Sequence, residues 1–327
     1  MSTHVQPGSV RRASWIASPP PAVAVEISSQ HVAAVAVASQ GGGQVIAGYG
    51  AEALPPGAVE PQLNGPNVHD AAALAAAVKA ALGKLSARPR RIALVLPDTV
   101  AKVSLVRFDK VPPKVQDLDQ LIRWQVRKSA PFRIEDGQLS WVPGMALEGG
   151  GREFVVTVAR RDIVASYERA VDAAGAHAGI VDLASFNLMN AVLAIGGGQS
   201  NEDWLLVHIG ADYATLAVVR GQTLAFFRNR AAAGPTELAD LVHQTAMYHE
   251  DRLGGGAFSR VIVSGAALRG AEQADWIRRS VEDRLGSRVE SLDFTSVVPI
   301  RDRISAGAEL LDVLAPSLGV LLRERVA

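Results

Sequence analysis

Two stretches of this chain align with each other without a gap, and this internal repeat constrains the fold more than any local pattern. VAVEISSQHVAAVAVA, which starts at Val23, aligns with LLVHIGADYATLAVVR, which starts at Leu205. Each stretch consists of an apolar strand, a short polar turn and a second apolar strand. Because a repeat reports how a whole fold is assembled, the sequence predicts two similar halves. Each half opens with a β-hairpin whose tip faces the other across a cleft.

The paired hairpin tips are the one arrangement in the sequence with a specific chemical use. Backbone N–H groups of small residues in such turns can bind a phosphate chain, and an acidic residue ending each first strand can hold Mg²⁺ through water. Glu26 has this position in the first half, but His208 has it in the second, and imidazole is a poor magnesium ligand. The alternative is that Glu26 and His208 form an ion pair or a hydrogen bond in an empty cleft. The candidate phosphate-binding residues of the tips are Ser28, Ser29, Gln30, Gly210, Ala211 and Asp212.

Composition excludes several functional classes. The formal net charge of zero gives no sign of a nucleic-acid surface, and the absence of cysteine excludes disulfides, thiolate metal sites and cysteine nucleophiles. No apolar run approaches the ~20 residues of a membrane-spanning helix, and the N-terminus lacks the pattern of a secretory signal. P-loop, nucleophile-elbow and zinc-protease motifs are absent. We therefore expect no metal site, no catalytic residue and no direct membrane insertion.

The order of predicted elements divides the chain. Residues 1–20, rich in Ser, Pro and Arg, are typical of a disordered tail. The segment from Lys102 to Arg160 has strand–helix–strand–strand order, which predicts a compact α+β insertion. The glycine-rich stretch GGGQSNED at residues 196–203 predicts a linker between two domains. A last helix is predicted from Ala308 to about Glu324, with Pro316 causing a break, a kink or two separate helices.

Four segments carry a resemblance to a known family. They are IRWQVRKSAPF (Ile122 to Phe132), YERAVDAAGAHAGIVDLASFNLMNAV (Tyr167 to Val192), the second hairpin HIGADYATLAVVRGQTLAFFR, and the turn RVIVSGAA, which contains Ser264 and Gly265. From about Ala22 onward the chain resembles the type IV pilus assembly protein PilM and its relatives, which share an actin-like, FtsA-related fold.

The resemblance implies an α/β, actin-like (ASKHA) two-domain fold with duplicated β-hairpin halves and an inserted α+β subdomain in the first domain. The implied first domain comprises residues 21–101, 161–199 and 304–327. The inserted subdomain comprises residues 102–160. The second domain comprises residues 200–303, with a reduced helical subdomain at 235–257.

The resemblance also implies a function. PilM-like proteins are cytoplasmic scaffolds of a type IV pilus or related secretion inner-membrane platform, to which a membrane partner recruits them. They bind the cytoplasmic N-terminal peptide of a PilN-like protein in a groove between the first domain and the insertion, and they connect it to other platform components. The candidate partner-binding residues here are Arg123, Trp124 and Phe132. Trp124 has the alternative role of core packing, since tryptophan is common in both settings. Homo-oligomers are known for this fold class, and a type II secretion or competence platform is a related possibility.

The chain departs from the family pattern at the nucleotide-binding positions. The family has aspartate where Glu26 and His208 stand, glycine where Ser28 stands, and a turn richer in glycine than Ser264–Gly265–Ala266–Ala267. It also has a longer helical subdomain between Gly234 and Val242. These departures predict a degenerate nucleotide cleft with no bound cofactor, and hence a scaffold rather than an enzyme.

Two alternatives stay open at this level. The first is an ATP-binding switch or weak ATPase of the same assembly machinery, which would use ATP and Mg²⁺ in the cleft. The second is a sugar-kinase-like enzyme, which needs a base near the phosphate chain. Asp212 is the only carboxylate at a tip that could supply that base, and an aspartate there is more typical of a turn residue.

Overall fold

The computed structural model describes residues 21–196, 201–231, 235–301 and 306–322. The tail predicted at residues 1–20 and part of the linker predicted at residues 196–203 lie outside these ranges. The described residues form two five-stranded sheets, one three-stranded sheet and a set of α-helices that pack on them.

Each half of the repeat is built on one five-stranded sheet. The first sheet contains β1 (Val23–Ile27), β2 (His31–Gln40), β3 (Gly43–Ala53), β4 (Arg91–Leu96) and β8 (His177–Leu183). The second sheet contains β9 (Asp203–Ile209), β10 (Tyr213–Arg220), β11 (Thr223–Ala231), β12 (Arg260–Ser264) and β13 (Val289–Ser291). Their strand orders correspond, since they are β3-β2-β1-β4-β8 and β11-β10-β9-β12-β13. In both sheets the first three strands are antiparallel and the last two run parallel to the strand beside them.

The two halves also share an irregularity of the backbone. The register between the second and third strands shifts at Ala36/Val37 in the first half and at Val218/Val219 in the second. These positions correspond in the ungapped alignment. The prediction of two similar halves, each opening with a hairpin, is therefore confirmed. The alignment did not predict that each hairpin continues into a third strand, β3 or β11.

Helices cover both sheets in a layered arrangement. On its outer face the first sheet packs against α1 (Ala71–Gly83) and α3 (Arg161–Ala173). On its outer face the second packs against α5 (Pro235–Leu253) and α6 (Ala271–Leu285). Between the sheets lie α4 (Ala184–Ala194) and α7 (Ala308–Leu322), whose apolar side chains join residues of both sheets in one core. The two halves are thus joined by a shared apolar layer.

Helix α7 differs from the prediction of a break or of two helices at Pro316. It is one helix from Ala308 to Leu322 with Pro316 inside it. Proline removes one backbone hydrogen bond and usually disrupts a helix. Here Leu314, Pro316 and Leu318 are buried between the sheets. This tertiary packing offsets the lost bond and keeps the helix continuous.

The segment between the two parts of the first half has its own small core. It contains β5 (Ala101–Phe108), α2 (Val115–Arg127), β6 (Gly137–Ala146) and β7 (Arg152–Arg160), in the predicted strand–helix–strand–strand order. The strands form an antiparallel sheet of order β5-β7-β6. One face of α2, with Leu118, Ile122 and Val126, packs on this sheet against Phe154 and neighbouring side chains.

Candidate functional site

The two hairpin tips lie at one cleft between the halves. The tips close in the same way, because Ser28 N donates to His31 O and Gly210 N donates to Tyr213 O, both at 2.9 Å. The predicted cleft residues that line this space are Glu26, Ser28, Ser29, Gln30, His208, Gly210, Ala211, Asp212 and Gly265. Ser264 lies behind the lining. The cleft has a volume of about 40 Å³, which is room for about three water molecules.

The side chain of Ser28 in the first tip binds the backbone donors of Gln30 and His31. The Ser28 hydroxyl accepts hydrogen bonds from Gln30 N at 3.2 Å and His31 N at 2.9 Å, and it donates to His31 O at 3.0 Å. A phosphate group would need these N–H groups to be available. The prediction that N–H groups of this turn point at a phosphate therefore does not hold for Gln30. The reason is the serine side chain at a position where glycine would leave the turn open.

Glu26 is buried at the end of β1. Burial, followed by the nearby charges of Asp98 and Asp312, raises the pKa of Glu26 to about 8. The imidazole of His31 lies beside it, with Glu26 Oε2 and His31 Nε2 separated by 4.0 Å. In the protein without a bound metal ion, a carboxyl group with this pKa is protonated near neutral pH.

His208 is also buried, at the corresponding end of β9. Its Nε2 lies 3.1 Å from the Tyr213 hydroxyl, and the two rings meet edge to face with centroids 5.5 Å apart. Its Nδ1 has no hydrogen-bond partner within the described residues. Burial lowers the pKa of His208, while the charges of Asp98 and Asp312 oppose this effect.

The alternative of an ion pair or hydrogen bond between Glu26 and His208 is not observed. Each side chain has its own neighbour, His31 or Tyr213, and no hydrogen bond or ion pair joins the two within the part of the chain that is described. The group of residues at this cleft does not fit an ATP–magnesium complex. The counterpart of Glu26 is the imidazole of His208, a poor magnesium ligand, and the volume of about 40 Å³ is far below that of a nucleotide pocket.

Sequence reasoning missed two acidic side chains near this cleft, Asp98, which is fully buried, and Asp312, which is half-buried and lines the cleft. Asp98 follows β4 directly after Pro97, and Asp312 interrupts the apolar sequence of α7. Asp312 accepts hydrogen bonds from Ala267 N at 2.9 Å and Ser264 Oγ at 3.3 Å, and burial raises its pKa. The turn after β12 therefore directs donors at a side chain of this same protein. For Asp312, the only signal in the sequence was an acidic residue inside the otherwise apolar run of α7.

A larger pocket adjoins the cleft in the second half. Its volume is about 560 Å³, and it lies among the end of β9, the start of β10, α5 and α6. Tyr213 and Arg269 border both this pocket and the cleft. Arg269 Nη2 donates to the carbonyl oxygens of Gly210 and Ala211 at 2.8 and 2.9 Å, which fixes the guanidinium against the second tip.

A separate groove of about 540 Å³ runs between the insertion and the two halves. Strands β6 and β7 form one wall, β8 and α4 form another, and the β10–β11 turn closes one side. The lining is mainly apolar with a few amide and hydroxyl groups. Its apolar members include Leu96, Val100, Val142, Pro143, Phe186, Met189 and Leu193, and its polar members include Gln138, Ser140, Thr157, Asn190 and Gln222.

The predicted partner-binding residues lie outside this groove, on and after α2. Arg123 Nε donates to Asp119 Oδ2 at 2.7 Å, and Phe132 packs at the edge of the insertion's core. Trp124 is 56% exposed, with Lys128 Nζ 4.2 Å from its ring centroid. Core packing of Trp124 is therefore excluded, and its role in partner binding stays a prediction.

Two further findings concern residues 21–196, 201–231, 235–301 and 306–322. No group of three or more His, Asp or Glu side chains among them is placed to hold a metal ion. No helix among them combines the length and apolar character needed to cross a membrane.

Comparison with known proteins completes the description. A solved PilM–PilN type IV pilus biogenesis complex is similar over 94% of this chain and 98% of that chain, with a TM-score of 0.77 and 20% identity. A Bacteroides thetaiotaomicron protein with an actin-like ATPase fold and unknown function is similar over 84% of this chain and 91% of that chain (TM-score 0.49, 8% identity). The cytoplasmic domain of EpsL, an inner-membrane component of the Vibrio cholerae type II secretion system, is similar over 74% of this chain and 80% of that chain (TM-score 0.45, 12% identity).

The actin-like fold predicted from the sequence is thus confirmed. No curated protein matches the chain significantly. The family model of the type IV pilus assembly protein PilM matches residues 24–252, which is more than half of the 327 residues. The chain therefore belongs to the family of the type IV pilus assembly protein PilM.

Proposed function

We propose that this protein is a non-catalytic scaffold of a type IV pilus or related secretion platform, and that it binds the cytoplasmic N-terminal peptide of a PilN-like inner-membrane protein. Its place of action would be the cytoplasmic face of the inner membrane, where that partner recruits it. Family membership and the solved PilM–PilN complex of the same fold support the choice of partner.

The groove of about 540 Å³ is the observation that carries this proposal. Its walls come from the insertion and both halves. Peptide-binding grooves combine apolar pockets with a few polar groups that pair with the peptide backbone, and the lining has both. Val142 is 58% exposed on the groove wall although it is apolar. A bound peptide would cover this side chain.

The central cleft supports the non-catalytic part of the proposal. Its volume of about 40 Å³ does not accommodate a triphosphate, and the amides of Gln30, His31 and Ala267 are bonded within the protein. His208 places an imidazole where Mg²⁺ prefers an oxygen ligand. We infer that the nucleotide site of the fold is degenerate in this chain.

The substitution Val142→Glu should abolish most peptide binding. It places a charge in an interface that must lose water on binding, so we expect an affinity loss of at least about tenfold. Fluorescence anisotropy with a labelled peptide, taken from the cytoplasmic N-terminus of the PilN-like protein of the same genome, measures it.

The matched control is Val115→Glu, which makes the same change at a side chain that is 64% exposed on α2, outside the groove. It should leave the affinity unchanged. Trp124→Ala in the same assay tests the face predicted on α2. Binding that survives Val142→Glu but is lost in Trp124→Ala would reject the groove and place the partner on α2.

The second candidate is an ATP-binding switch, and the pocket of about 560 Å³ beside the cleft is the observation that favours it. A ligand selective for the folded state stabilises it by about 2.7 kcal/mol at a concentration 100 times its dissociation constant. Thermal unfolding with millimolar Mg-ATP, compared with Mg²⁺ alone, should show no increase in Tm if the site is degenerate. A clear increase would reject the degenerate site and favour the switch.

A further inference from the structure

Asp98 is fully buried where the two halves meet, and it joins elements of both. It belongs to the first half, since it follows β4. Its carboxylate accepts hydrogen bonds from Ser185 N at 3.0 Å, from the Ser185 hydroxyl, and from Thr215 Oγ1 at 2.7 Å. The Thr215 hydroxyl in turn accepts a hydrogen bond from Asn229 Nδ2 at 2.8 Å. We call this connected set of Asp98, Ser185, Thr215 and Asn229 the Asp98 link.

Three members of the Asp98 link lie in elements that also line the peptide groove. Ser185 is in the first turn of α4, whose next residues include the groove residues Phe186 and Met189. Thr215 and Asn229 are opposite each other on β10 and β11, the two strands whose connecting turn closes the groove. The carboxylate therefore fixes α4 relative to the β10–β11 hairpin.

This connection is strong because it is buried: a dry interior increases the cost of breaking hydrogen bonds. Asp98 and Thr215 are both inaccessible to solvent. Neither partner can exchange its bond for one to water while the halves stay together.

We propose that Asp98 is a positioning residue that sets the width of the peptide groove by tying α4 to the β10–β11 hairpin. The inference rests on the proposed function of that groove and extends it to how the groove keeps its shape. In this arrangement the relative position of the two halves depends on the chain's own carboxylate and not on a ligand bound between the tips.

The test measures groove width directly and needs no peptide. The chain contains no cysteine, so Ser140→Cys and Gln222→Cys place one spin label on the β6 wall and one on the β10–β11 turn, both at exposed groove residues and without background labelling. Pulsed electron paramagnetic resonance then gives the distribution of distances between them. Thr215→Val keeps the side-chain shape but removes the hydroxyl, and it should broaden this distribution toward longer distances.

Two further variants separate positioning from a general loss of stability. Thr215→Ser keeps the hydroxyl and should restore the narrow distribution. Thr245→Val makes the same change at another fully buried threonine, whose hydroxyl donates to Leu241 O at 2.8 Å within α5, and it should leave the distances unchanged. An unchanged distribution in Thr215→Val, or an equal broadening in Thr245→Val, would overturn the proposal.

Peptide affinity provides the second readout. Thr215→Val should weaken binding by up to roughly tenfold, while Thr215→Ser should bind like the unaltered protein. If the unaltered protein binds no peptide but the label distances respond as expected, the proposed partner is wrong and the positioning role stands. If the peptide binds and the distances do not respond, the positioning role is rejected.

Discussion

Replacing Glu26 with glutamine should stabilise the protein at alkaline pH and remove most of its loss of stability as the pH rises toward 8. Burial and the neighbouring Asp98 and Asp312 raise the pKa of Glu26 from an ordinary value of 4.5 to about 8. A tenfold change in a dissociation constant corresponds to about 1.4 kcal/mol. Ionised Glu26 should therefore cost the folded protein roughly 4–5 kcal/mol, which the uncharged glutamine avoids.

The direction of the effect follows from proton binding. Between about pH 5 and 8 the folded protein holds a proton on Glu26 that the unfolded chain releases, so folding stability falls as pH rises. His31 and His208 act in the opposite direction, because burial lowers the pKa of each below 6.5 and stability falls as pH drops. The effect of Glu26 is therefore isolated above about pH 6.5.

Denaturant unfolding at several pH values from 6.5 to 9 measures this effect. Between pH 6.5 and 8 the unaltered protein should lose roughly 2 kcal/mol of its free energy of unfolding through this group, and Glu26→Gln should lose little. Glu60→Gln, a charge change at an exposed side chain, serves as the control and should keep the original slope. Parallel slopes for the unaltered protein and Glu26→Gln would contradict the neutral, buried state of Glu26.

The second large effect on stability is expected on substitution of Gly319, where α7 packs against the backbone of α4. A Cβ atom at this position would lie 1.8 Å from the carbonyl oxygen of Asn187. In an exposed helix, glycine to alanine stabilises by about 1 kcal/mol. Here the two helices would have to separate by more than 1 Å in the middle of the shared core, and overpacking of cores typically costs 1–3 kcal/mol or more.

We therefore expect Gly319→Ala to destabilise the protein by roughly 2–4 kcal/mol, with a correspondingly lower Tm. Gly83→Ala is the matched control, since Gly83 ends α1 and nothing lies within 4 Å of its added methyl group. That substitution should be neutral or stabilising by up to about 1 kcal/mol. Equal melting temperatures for the two variants would show that α4 and α7 are less closely packed than described.

The paired hairpins and the insertion could be predicted from the sequence because their signals are local. Alternating apolar residues define the strands, and the ungapped match between Val23 and Leu205 fixes their equivalence. The predicted break at Pro316 is wrong, because the effect of this proline on α7 depends on its burial between two sheets, which the local sequence does not show. The exposure of Trp124 was equally unpredictable, because the α2 sequence does not show which residues the sheet covers.

The chemistry of the cleft was only partly accessible from sequence. The residue types at Glu26, Ser28 and His208 predicted a departure from the family pattern and hence a degenerate site, which stays a prediction. Asp98 and Asp312 were missed because each acts across the boundary between the halves, more than 40 residues from its partners. No periodicity or motif records such a contact.

The position of α7 has a consequence for how the protein is made. This helix lies at residues 308–322, yet it packs on the inner face of β1, β2 and β4, which lie near the start of the sequence. While the ribosome is still translating the second half, the inner face of the first sheet lacks the part of its cover that α7 provides. Nascent chains should therefore depend on chaperones until the last helix emerges, and ribosome-bound fragments ending before residue 308 should be sensitive to protease in both halves.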